Sequence, residues 1–101
     1  MNEIGTKKED IDTPALLIDL DPMEKNIFTM ADFFREKKAS LWAHTKVHRA
    51  PILAQKQIKS GAGGICCQKV RQAEIMAASG MTSILIPNIV AALGKINRLV
   101  S

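Results

Sequence analysis

The chain has no tyrosine, a single tryptophan and only two cysteines in its 101 residues. It also lacks any apolar run approaching the roughly 18 residues that cross a bilayer. Its first twelve residues, MNEIGTKKEDID, are polar where a secretory signal needs an apolar centre. On these absences neither a membrane span nor a signal peptide is expected, and the expected location is the cytoplasm. Cys66 and Cys67 are adjacent, and neighbouring residues of a strand point to opposite faces, so a bond between them would be strained. Both are expected as reduced thiols in the core. The shortage of aromatics, 4% of residues, also bears on the net charge of +4. Lys and Arg are scattered with no stacking rings among them, so nucleic-acid binding is not expected.

What remains is the composition of an ordinary globular chain, 47% apolar and 24% charged, supplying one domain at most. Residues 1–12 read as a polar leader. Thr13-Pro14 introduces an extended segment, because the residue before proline is pushed away from helical geometry, and Ala15–Asp19 follows as an apolar strand. Asp21-Pro22-Met23-Glu24 then reads as a helix start, with an acceptor at the N-cap and proline at the first helical position. Ile27, Met30, Ala31 and Phe34 recur with helical spacing to about Lys37, and the Met and Phe residues are expected in the core.

A second strand is expected over Leu41–His44, and Pro51 opens a helix that turns Leu53, Ala54 and Ile58 inward until Gly61 stops it. Gly63–Cys67 is the third strand. The helix after Gln68-Lys69 presents Val70, Ala73, Ala77 and Met76 inward and is closed by Gly80. Ser83–Ile86 is the fourth strand, and a last helix presents Ile89, Leu93, Ile96 and Val100. The strands recur roughly every 20 to 25 residues with a helix after each, which implies right-handed crossovers and a parallel α/β sheet. Two architectures fit: an open doubly wound sheet, or the opening section of a (β/α)8 barrel, which needs about 250 residues when closed. The last helix carries no stop signal before Ser101, so the domain is expected to be incomplete at its carboxyl end.

One stretch carries chemistry. In Leu41–Pro51, LWAHTKVHRAP, an apolar strand delivers Lys46 between His44 and His48 to the carboxyl end of the strand, where α/β proteins place ligands and catalytic groups. A lysine nucleophile must lose its proton, yet with an ordinary pKa of about 10.4 only about one amine in two thousand is neutral at pH 7. Apolar cover and nearby positive charge from His44, His48 and Arg49 would favour the free amine. Taken alone, the pattern is a weak signal, because a lysine near histidines is more often an exposed loop residue. A metal site on the histidines is not expected: their spacing of four shares a face only on a helix, and Pro51 starts the helix after both. Lining a pocket and hydrogen bonding suit them better. Gly61-Ala62-Gly63-Gly64 precedes a strand, the wrong context for a phosphate cradle, and reads as a turn. Gln68 and Asn88 end the next two strands on the rim that carries Lys46, where their amides either orient a ligand or cap the following helix.

The segments DTPALLIDLDPMEKNI, AHTKVHRAPILAQKQIKSGAGGICCQKVRQAEIMAASG and ILIPNIV resemble the amino-terminal part of the D-threonine aldolase and D-serine dehydratase-like family. These are fold-type III pyridoxal 5'-phosphate enzymes, more distantly related to alanine racemase. The resemblance implies that residues 13–101 are part of an alanine racemase-like cofactor-binding TIM-type barrel, with the strand at 15–19 belonging to a second, β-rich domain. It implies that Lys46 holds pyridoxal phosphate as a Schiff base, with His44, His48, Gln68 and Asn88 around the cofactor. The implied reaction splits a D-β-hydroxy amino acid into glycine and an aldehyde. A divalent metal assists it in the family, on a His-x-Asp or His-x-Cys pair near the carboxyl terminus that this chain does not contain. Dimerisation is the family expectation. Two departures concern the pocket wall: Trp42-Ala43 replaces the usual Arg-Pro, and Arg49 stands where lysine is common. D-serine dehydratase activity on the same scaffold is the enzymatic alternative. A βα module without catalysis, acting only in binding or assembly, is the alternative of another class.

Overall fold

Parallel pairing of three short strands organises the chain. The computed structural model describes residues 4–101, so Met1, Asn2 and Glu3 of the expected leader lie outside the described residues. β1 (Trp42–His44), β2 (Gly64–Cys66) and β3 (Ile84–Leu85) form one sheet in the order β1-β2-β3. Both pairings are parallel, with Trp42 opposite Gly64, His44 opposite Cys66, and Cys66 opposite Leu85. Helix α1 (Leu20–Arg35) precedes the sheet, and α2 (Pro51–Lys59), α3 (Val70–Ala78) and α4 (Leu93–Val100) follow the strands in turn. The protein is therefore mixed α/β with a small parallel sheet. Among the described residues, no helix is long and apolar enough to cross a membrane.

Local chemistry accounts for the boundaries. Pro51 sits at the start of α2, where its missing N–H has no intrahelical partner to lose. α2 and α3 end alike. Gly61 (φ +117°) and Gly80 (φ +92°) adopt the left-handed conformation that glycine takes without penalty. Ala62 N–H then bonds Gln57 O and Met81 N–H bonds Met76 O, both at 3.1 Å, satisfying carbonyls the helix ends would leave orphaned.

The two faces of the sheet differ. Ile65 and Cys67 point to the face where Ala54 of α2 and Ala73 and Met76 of α3 pack, together with Met81, and this is the core. α1 rests against α2, and α4 against α3. Strand alternation and register put Trp42, His44, Gly64, Cys66 and Leu85 on the opposite face. Trp42 there is 39% exposed and Leu85 46%. Both cysteines are free and buried, one on each face, as expected.

Several expectations are corrected. Residues 15–19 pair with no strand, and Leu16, Leu17 and Ile18 lie exposed, because the described chain offers this segment no neighbouring strand to bond. α1 begins at Leu20 with Asp19 as its N-cap, and Pro22 falls within the first turn, where its missing N–H again costs no helical bond. Met30 is 50% exposed, since the main packing partner of α1 is α2 and not the sheet. Ala77 is exposed, because α3 turns Val70, Ala73 and Met76 onto the sheet and rotates Ala77 past the contact. Ile89 precedes α4 and is 95% exposed.

A surface clamp joins α3 to α4. Arg98 Nε donates to Glu74 Oε1 at 2.7 Å, its guanidinium also pairs with Oε2, and Arg71 approaches Oε2 at 3.7 Å. The Arg98 hydrogen bond, with the attraction of both guanidiniums, holds the Glu74 carboxyl below its ordinary value. A lowered folded-state pKa means that this stabilisation is present above the ordinary carboxylate range and is lost as pH falls through the lowered value. Glu74→Gln should therefore lower Tm at pH 7, and the difference should shrink as pH falls below the ordinary carboxylate range and vanish only below the lowered folded-state value, as followed by thermal scans across pH. On the open face, a Cβ on Gly64 would fall 2.5 Å from the Trp42 ring. Gly64→Ala should cost about 1–3 kcal/mol, and most of that should be recovered when Trp42→Ala is combined with it in a denaturation double-mutant cycle.

Candidate functional site

β1 ends at His44, and the next residue decides how the chain leaves the sheet. Thr45 continues the alternation of Ala43, so its side chain turns toward the helix-covered face and is 1% exposed. A hydroxyl in that position requires partners. Thr45 N–H and Thr45 Oγ1 both donate to Cys66 O, at 2.9 and 3.0 Å. The hydroxyl proton being used there, the 3.5 Å contact with Cys67 Sγ leaves the thiol as donor to Oγ1. Downstream, Thr45 O accepts Arg49 N–H at 2.7 Å, closing the turn that carries Lys46, Val47 and His48.

Lys46 is exposed at this turn. Its backbone N–H donates to His44 Nδ1 at 3.1 Å. Among the described residues, no carboxylate or other acceptor holds its ammonium group. His48 is half-buried, and both of its ring nitrogens are engaged. Nδ1 accepts Ala50 N–H at 3.0 Å, so the neutral ring carries its proton on Nε2 and donates it to Gln57 Oε1 at 3.2 Å. His48 thus ties the turn to α2 instead of lining an open pocket. Among the described residues, no group of three or more His, Cys, Asp or Glu is placed to hold a metal.

Gln68 and Asn88 meet at the ends of β2 and β3. Asn88 Nδ2 donates to Gln68 O at 2.9 Å, and both residues line an open cavity of about 330 Å³ with Lys69, Val70 and Lys95. Neither caps a helix: the Gln68 N–H is satisfied by Gln72 Oε1 at 3.3 Å, and α4 starts only at Leu93. The five expected site residues therefore fall into two groups along one rim of the sheet, His44, Lys46 and His48 on one turn and Gln68 and Asn88 on the neighbouring pair. The cavity beside the second group does not include the first. Burial, with a further push from Cys67, raises the Cys66 thiol, so it does not present a reactive thiolate. Thr45 and Gln57, which hold the lysine turn, were not among the expected site residues. Thr45 was readable as inward-facing from its two-residue spacing to Ala43.

A curated D-threonine aldolase from Arthrobacter sp. is 40% identical over 86 residues, covering 85% of this chain and 23% of the relative. The 3-hydroxy-D-aspartate aldolase of Paracoccus denitrificans (strain Pd 1222) is 36% identical over 96 residues, covering 94% of the chain and 25% of that protein. The crystal structure of D-threonine aldolase from Filomicrobium marinum matches with a TM-score of 0.86 at 47% identity, over 89% of this chain and 24% of that one. The chain matches the amino-terminal part of a D-threonine aldolase-like family. D-threo-3-hydroxyaspartate dehydratase from Delftia sp. HT23 matches the same fold with a TM-score of 0.82 at 32% identity, over 90% of this chain and 24% of that one. The chain thus spans about a quarter of the length of these D-threonine aldolase-like relatives. No family model matches it.

The turn contains one residue with unusual backbone geometry. Arg49 has φ 53°, in the left-handed region that costs an L-residue roughly 1–2 kcal/mol. Arg49→Gly should leave stability within about 1 kcal/mol of the parent, relief of the strain offsetting the added chain entropy. Arg49→Val, β-branched at the same φ, should lose about 1–2 kcal/mol; chemical denaturation of the pair measures both.

Proposed function

We propose that this chain forms the opening section of a (β/α)8 barrel that binds pyridoxal phosphate at Lys46, in a lyase cleaving D-β-hydroxy amino acids to glycine and an aldehyde. The observation that carries the reading is an exposed lysine, unpaired among the described residues, at the carboxyl end of a strand on a parallel sheet whose described helices cover one face. A doubly wound sheet has helices on both faces and a reversal of strand order. Sequential order with one-sided cover is what a barrel wall has.

The residues fit the cofactor at the point of attachment. Among the described residues, no carboxylate holds the Lys46 amine, so a carbonyl compound would not have to break an ion pair there to reach it. When bound, pyridoxal phosphate supplies an electron sink for the bond-breaking step. The chain's own residues hold the lysine: His44 takes the Lys46 backbone N–H, and His48 fixes the turn to Gln57. In this reading Gln68 and Asn88, on neighbouring strand ends, orient the ligand through their side-chain amides. In this reading the phosphate-binding groups come from later barrel strands, and a divalent metal assists through ligands outside these residues. Use of a metal is supported by the dehydratase relative, one mutant of which was solved in a metal-free form.

Residues 13–101 belong to the barrel domain after a polar leader at 1–12. Exposed Leu16–Ile18 would pair with a second, β-rich domain. A homodimer located in the cytoplasm, acting on a small D-amino acid with no nucleic-acid or membrane partner, completes the proposal. A dehydratase on the same scaffold is the second reading, favoured by the match to the Delftia enzyme.

Loaded with pyridoxal phosphate, the protein expressed from its natural reading frame should show the visible absorbance of a lysine imine. Lys46→Ala should abolish that absorbance and reduce turnover on the order of a thousand-fold or more. A variant with unchanged absorbance would remove Lys46 from the role. Glycine and an aldehyde as products select the aldolase, whereas ammonia and a keto acid select the dehydratase.

A further inference from the structure

We propose that Thr45 is the positioning residue for Lys46, fixing the lysine's Cα by locking the end of β1 to the backbone of β2. This rests on the reading of Lys46 given above. Three observations converge on Thr45. It is the only buried polar side chain among the described residues. Its hydroxyl and its N–H share one acceptor, Cys66 O, so the residue is tied to the neighbouring strand by side chain and backbone together. Its carbonyl closes the turn through Arg49 N–H. Lys46 follows directly and has only one further backbone tie described, to His44 Nδ1. The Lys46 side chain is long and exposed, so the reach of its Nζ depends on where the Cα is held.

The hydroxyl is the discriminating group. Serine retains it, and valine keeps the shape while removing it, leaving the Cys67 thiol without its acceptor. Cys67→Ala is the packing control, because it opens the same buried region yet leaves the bond from Thr45 Oγ1 to Cys66 O intact.

The test labels the protein expressed from its natural reading frame with pyridoxal phosphate and traps the adduct with borohydride. The Lys46 amine adds to the aldehyde carbon, water leaves, borohydride delivers hydride to that carbon and solvent protonates the nitrogen. The labelled peptide is quantified by mass spectrometry at temperatures below each variant's Tm. Thr45→Val should label Lys46 on the order of ten- to a hundred-fold more slowly. Thr45→Ser should label near the parent rate, and Cys67→Ala should lower Tm while labelling near the parent rate. Lys46→Ala retaining the full label would sink the reading of Lys46 itself. With the label lost in Lys46→Ala, a parental rate in Thr45→Val overturns the positioning role alone. Slow labelling in Cys67→Ala or in Thr45→Ser also overturns it, and these two comparisons decide the matter if Thr45→Val does not fold.

Discussion

The hydrogen bonds that Thr45 sends to Cys66 O are the constraint on which the rest of the site depends. The β1–β2 ladder is only three residues long, so each bond at its end is a large share of what aligns the strands. A threonine here extends the ladder by one residue and seals it with a side chain. The hydroxyl lies in the core because alternation puts it there, and desolvation obliges it to bond. The same bond stops Ala43-His44-Thr45 from fraying and sets the point from which the exposed turn departs. Core packing and ligand-side geometry thus meet in one residue.

One-sided helical cover gives the sheet two different chemistries. On the covered face Ile65, Cys67, Ala54 and Met76 are sealed from water and make the core. On the other face, Trp42 and Leu85 keep substantial exposure, while Gly64 leaves room for the indole above it. The fold therefore separates stability from access: helices stabilise the strands from behind, and the strand ends and open face remain available. Apolar residues on that open face would be covered by neighbouring strands and side chains in a closed wall, where the interior is packed.

The sequence made the alternation of strands and helices legible because its punctuation is strong. Pro51 fixes its own φ, while Gly61 and Gly80 take without penalty a left-handed geometry that other residues avoid, and each marks a boundary where expected. The position of Lys46 at a strand end followed from the abrupt change at His44, and the cysteines from their adjacency. Residues 15–19 misled because their apolar run carries strand propensity but a strand needs a partner, and pairing is not written in the segment itself. Ala77 and Met30 were misplaced because helical spacing identifies a face but not how a helix is rolled against its neighbour. The hydrogen bonding expected of His48 is present at both ring nitrogens, but its partner was not legible. Gln57 lies nine residues away in sequence, and nothing local links them.

The indole above Gly64 carries a further consequence. Trp42 is the single tryptophan, and the chain has no tyrosine, so all intrinsic long-wavelength emission arises from one ring. That ring lies on the uncovered face, on the strand that ends in His44 and leads into Lys46, and it is 39% exposed to solvent. Whatever comes to cover this face, whether further strands or a bound ring, changes the water around that indole. The protein thus carries a built-in optical gauge of whatever covers this face, located on the strand that leads into Lys46.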